Sequence, residues 1–99
     1  KMENNKTVSI EAATFRRIVK HFQENPEVQN IDLMELSGFC RNCISRWYSE
    51  EAEKEGKKIE YEDARSLVYG MTYQEWKKKF QTDQPKDRIE NLKESFHEH

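Results

Sequence analysis

Glycine and proline are scarce in this chain, with three and two among 99 residues. A many-stranded β fold draws on many more turn-forming residues, so the shortage points away from one. No run of ~18 apolar residues occurs, which excludes a membrane-spanning helix. The chain has no phosphate-cradling glycine loop and no G-x-S-x-G elbow, so neither a nucleotide site nor a hydrolase is signalled. No catalytic residue is singled out. Positive charge is not in excess either: the net charge is −2 and the pI about 6.0. A nucleic-acid binder of this size is more often strongly basic.

What is present fits one small helical domain. A chain of this length buries roughly 65% of its unfolded surface. Apolar residues make up 34% and charged residues 36%, which implies narrow apolar stripes. The 11% aromatic share compensates, because each ring buries about 150–250 Å². Met2 behind Lys1 reads as a natural start, and no signal-peptide pattern precedes Ser9. A cytoplasmic protein with both cysteines reduced is therefore expected.

Residues 1–8 are polar and unpatterned, and disorder is expected there. The spacing predicts a single helical domain over 9–82. Its first helix runs from Ile10 to Gln23, with Ser9 as N-cap and Ala12, Phe15, Ile18, Val19 and Phe22 as the apolar stripe. Asn25-Pro26 stops it. A second helix opens near Asp32, with Glu35 at capping-box spacing, and reaches Gly56. Leu33, Leu36, Cys40, Cys43 and Trp47 form its stripe. Gly38 inside that stripe marks a close approach or a break into a short and a long helix. A third helix covers Tyr61 to Tyr69, with Ala64, Leu67 and Val68 inward and Gly70 as its stop. Thr72 and Glu75 form a capping box for a fourth over Tyr73–Phe80. Residues 83–99 carry a peripheral C-terminal helix after Pro85, with Ile89, Leu92 and Phe96 as its weak stripe. The fold class is all-α, a small orthogonal array of four to five helices. The Phe15/Ile18/Phe22 stripe should pack on Leu36, Cys40, Cys43 and Trp47.

Three blocks carry a resemblance. They are Asn30-Ile31-Asp32-Leu33-Met34, Gly38-Phe39-Cys40-Arg41-Asn42-Cys43 with Trp47-Tyr48, and Val68-Tyr69-Gly70-Met71 with Tyr73 and Glu75-Trp76-Lys77. Together, over roughly 9–82, they resemble a bacterial family of small proteins known as domain of unknown function 1244. The resemblance implies a compact all-helical fold and no assigned activity. Family members usually have proline where Thr72 stands. The segment beyond Asp83 matches nothing in that resemblance.

Cys40 and Cys43 are the residues most suggestive of chemistry. Zinc or another transition metal would need further ligands, with His21 the nearest candidate and His97 or His99 a fourth. A redox pair normally sits at a helix N-terminus, whereas this spacing places the pair two to three turns into a helix. The preferred reading makes both thiols small apolar core groups, with metal and redox chemistry as alternatives. Arg41 and Arg46, with Tyr69, Tyr73 and Trp76, form the candidate site for an anion or a partner carboxylate. The plainer reading has Arg46 pairing with Glu50 and the tyrosine rings lidding the core. Arg16, Arg17 and Lys20 with Lys77-Lys78-Lys79 could make a nucleic-acid patch, but the acidic run over 50–55 and the overall charge argue against it. The function expected is a cytoplasmic protein-interaction or regulatory module, with another copy of itself as one candidate partner.

Overall fold

A computed structural model describes residues 2–95. Phe96, His97 and His99 lie outside the described residues. Among those described, six helices and no strand are found: α1 Met2–Glu24, α2 Asn30–Ser37, α3 Arg41–Lys54, α4 Tyr61–Tyr69, α5 Tyr73–Phe80 and α6 Lys86–Ser95. The protein is all-α. The sixth helix arises because the long second helix is broken. Gly38 adopts φ 81° and closes α2 by donating its N–H to the Met34 carbonyl at 2.8 Å. This left-handed turn is costly for other residues and open to glycine.

That break rephases the expected stripe. Leu36 is 87% exposed and Trp47 38% exposed, while Cys40, Cys43 and Ile44 are buried. Residues on two helices that no longer share an axis cannot share one face. Ile18 and Leu67 also turn outward, at 49% and 44% exposure. The core is instead Val19 from α1, Cys40, Arg41, Cys43, Ile44 and Ser45 at the start of α3, Ala64, Val68 and Tyr69 from α4, and Trp76 from α5. Helix α4 is the hub, packing on α3, α1 and α5, while α6 packs on α2.

Several local signals behave as chemistry requires. Helix α1 ends before Asn25-Pro26. Helix α3 ends in a Schellman pair, Gly56 N–H to Glu53 and Lys57 N–H to Ala52, with Gly56 at φ 82°. Thr72 and Glu75 form the reciprocal capping box, with Glu75 N–H donating to Thr72 Oγ1 at 3.1 Å and Thr72 N–H to Glu75 Oε1 at 3.0 Å. Gly70, at φ 75°, ends α4 under the Gln23 side chain, which donates to the Leu67 carbonyl at 3.0 Å.

Two helix starts differ from expectation. Helix α1 takes in residues 2–8, so Ser9 lies inside it and is not its cap. Residues 4–11 are exposed, so their helicity rests on propagation from the packed half rather than on burial. At 1.5 Å per residue a 23-residue helix spans about 34 Å. Its protruding half accounts for a long axis of 51 Å against 27 and 24 Å. Helix α2 starts at Asn30 after Gln29, and Asp32 and Glu35 do not cap it. Both carboxylates turn to Arg88 of α6.

Candidate functional site

Arg41, the first residue of α3, is 1% exposed. The Phe39–Cys40 link aims its side chain beneath the α1–α2 connection. One guanidinium nitrogen donates to the Val28 carbonyl at 2.7 Å and to Asn30 Oδ1 at 3.0 Å, and the other to the Asn25 carbonyl at 3.0 Å. The rings of Trp76, Phe22 and Tyr69 surround the charge at 5.2, 5.4 and 5.9 Å. Among the described residues no carboxylate pairs with it. Burial pulls its pKa below the ordinary arginine value, yet a guanidinium stays charged throughout the working range. The core therefore holds a cation offset by carbonyl dipoles and ring faces.

Tyr69 closes the cluster. Its hydroxyl donates to Asn42 Oδ1 at 2.7 Å and accepts from Asn30 Nδ2 at 2.9 Å. Burial pushes this phenol well above its usual pKa. Trp76 donates its indole N–H to the Pro26 carbonyl at 2.9 Å. Edge-to-face contacts join Tyr69 to Trp76 and Tyr73, at 5.3 and 5.6 Å between centroids. Gln29, also buried, donates to the Phe80 carbonyl and accepts from the Thr82 N–H. The connection between α1 and α2 is thus tied by side chains to α3 and α5.

The five residues singled out for an anion site separate. Arg41, Tyr69 and Trp76 are interior groups with their polar atoms engaged. Tyr73 lies at the rim, with the Arg65 guanidinium stacked over it at 3.9 Å. Arg46 lies elsewhere, in a cleft of about 720 Å³ with Ser49, Glu50, Ile59 and Tyr61. Its expected pairing with Glu50 is not formed.

A second cleft of about 710 Å³ runs between α2, α5 and α6. Ile31, Met34, Tyr73 and Trp76 line the body side, with Ile89 and Leu92 facing them from α6. Residues 28–94, which include every wall of this cleft, match the family described as a protein of unknown function, DUF1244. The chain belongs to that family. No curated protein matches it. The DUF1244 match differs in extent from the resemblance read over 9–82. It leaves out α1 and takes in most of α6, the segment that carried no resemblance.

Cys40 and Cys43 are both free, at 6% and 5% exposure, in agreement with the core reading. Their place in the fold is not the one expected. Cys40 is the N-cap residue of α3 and Cys43 its third residue, because the break at Gly38 starts a new helix there. His21 lines a shallow groove on α1 with Arg17 and Phe22. Among the described residues no three His, Cys, Asp or Glu side chains gather as a metal group, so His21 is not brought to the thiols.

Arg88, Asn30, Asn42 and Gln29 were not singled out from the sequence. Arg88 carried one signal, a lone arginine in the weak C-terminal stripe. The amides carried none, since tertiary contacts alone bring them together.

Proposed function

We propose that this DUF1244 protein is a protein-interaction module whose groove between α2 and α5 receives an amphipathic helix. The observation that carries the reading is the way α6 sits on that groove. Ile89 and Leu92 face the cleft but leave it about 710 Å³ unfilled, and Ile89 stays 38% exposed. A polar clamp at the helix edge holds α6 instead. Arg88 donates to Glu35 at 2.6 and 2.8 Å and to Asp32 at 2.6 Å. An exposed clamp over a half-filled apolar groove is weak, and a better-fitting helix can displace it. The simplest occupant is α6 of a second copy, giving a homodimer by exchange. Two free thiols support a reducing, cytoplasmic setting. No described helix is long and apolar enough to cross a membrane.

Size-exclusion chromatography with light scattering tests this across protein concentration, with a pull-down from host lysate alongside. The expected result is a concentration-dependent dimer that Leu92→Asp abolishes. A chain that stays monomeric at every concentration, whose retained partners are unchanged by Leu92→Asp, refutes the reading.

A further inference from the structure

We infer that Cys40 and Cys43 form a dithiol–disulfide centre, a modification site that exchanges with small disulfides of the glutathione class. Two observations meet here. The first is position. Side chains at the N-cap and at the third helical residue lie beside each other, which is what lets a capping box close reciprocally. The start of α3 places both thiols in that relation, Cys40 as N-cap and Cys43 as the third helical residue, with the Cys43 thiol turned to Met34 Sδ at 3.9 Å. Backbone groups of Asn42 and Cys43 at the helix start offset part of the rise that burial imposes on the Cys40 thiol, whose side chain makes no capping hydrogen bond at rest.

The second observation is the buried cation. Arg41 follows Cys40 directly, is 1% exposed, and has no carboxylate partner among the described residues. Carbonyls take its donors but cannot neutralise its charge. Tyr69, Cys40 and Glu27 are the acidic groups whose charge this cation favours, and a cation beside a thiol at a helix start is the environment in which thiolates become reactive. Burial opposes ionisation of Cys40 and keeps it a thiol at rest, so attack requires the short Gly38–Cys40 link to open.

The chemistry balances. The Cys40 thiolate attacks one sulfur of oxidised glutathione, forming a mixed disulfide and releasing one glutathione thiolate, which takes up the Cys40 proton. Cys43, losing its own proton, then attacks Cys40 Sγ and releases the second glutathione. The two cysteines are oxidised by two electrons, and one glutathione disulfide is reduced to two thiols.

The test uses the full chain in buffers of reduced and oxidised glutathione, read by intact mass and by alkylation of free thiols. The wild type should become about 2 Da lighter, lose both alkylatable thiols, and recover them in excess reduced glutathione. Cys43→Ala should accumulate one glutathione on Cys40, because no second thiol resolves it. Cys40→Ala should acquire glutathione at least about tenfold more slowly. Alanine keeps a small apolar group at each buried position, and circular dichroism verifies the fold. The inference is overturned if folded wild type keeps both thiols alkylatable while the urea-unfolded chain forms the bond. It is equally overturned if both thiols end as separate glutathione adducts, or if the two alanine variants react at equal rates.

Discussion

Replacing Arg41 by methionine tests the central packing claim. Methionine keeps most of the side-chain volume, so the cavity contribution is small. It removes every donor. The Val28 carbonyl and the Asn30 Oδ1 then lose their partner in a site that is 1% exposed, while the Asn25 carbonyl keeps the Val28 N–H at 3.2 Å. Each orphaned buried acceptor costs about 1–3 kcal/mol. Against their sum stands the guanidinium, which no longer has to be desolvated. Two orphaned acceptors set a gross loss of about 2–6 kcal/mol, and the recovered desolvation offsets part of it, so a net loss of about 2–4 kcal/mol is expected. Domains of this kind have roughly 5–15 kcal/mol in total, so the variant should be marginal. Arg41→Lys keeps the charge but not the planar fork, and should fall between, at about 1–3 kcal/mol. Urea unfolding followed by tryptophan fluorescence reads both, since Trp76 packs against the guanidinium. If Arg41→Met shifts stability by less than about 1 kcal/mol with an unchanged urea slope, the charge is not the pin described here.

Other variants probe separate links. Cys40→Ser and Cys43→Ser should each cost about 1–3 kcal/mol by burying a hydroxyl without an assured partner, with alanine milder, as read by thermal melting. Gly70→Ala should destabilise by about 1–2 kcal/mol, because the residue sits at φ 75° and the added Cβ would lie 2.9 Å from Gln23 Cδ; a neutral melt would contradict the turn. Thr72→Ala should cost about 1 kcal/mol by opening the α5 capping box. The α6 clamp should respond to acid. Hydrogen bonds from Arg88 hold the Glu35 carboxyl below its ordinary range. The stabilisation is therefore present above the ordinary carboxylate pKa and is lost as pH falls through the lowered one. Protection of the α6 amides, measured against their intrinsic exchange at the same pH, should fall below about pH 4, and Arg88→Ala should show low protection at every pH.

Helix class, stops and the Thr72/Glu75 cap were legible in the sequence because they are set by neighbours along the chain, whereas the caps expected at Ser9 and Asp32 were not formed. Pro26, Gly56, Gly70 and the Thr72/Glu75 pair act within one or two turns. Apolar periodicity located α4 and α5 closely for the same reason. Gly38 was legible as an anomaly but not as a decision. The same glycine serves a close helix crossing or a left-handed stop, and the difference lies in φ. Settling that angle moved the cysteine pair from mid-helix to a helix start and turned Leu36 out to solvent.

The amino-acid order alone therefore determined that this chain is helical and where most helices end, and it favoured buried thiols at Cys40 and Cys43 without deciding them. Only the folded arrangement decided which polar groups meet. Arg41 became an interior cation because carbonyls fifteen or so residues upstream converge on it. Asn30 and Asn42 flank one phenol from two helices, and Arg88 reaches acids more than fifty positions away. Periodicity reports which side of a helix is apolar. It carries no information on which distant donor will find which acceptor, because that pairing is fixed by packing in three dimensions.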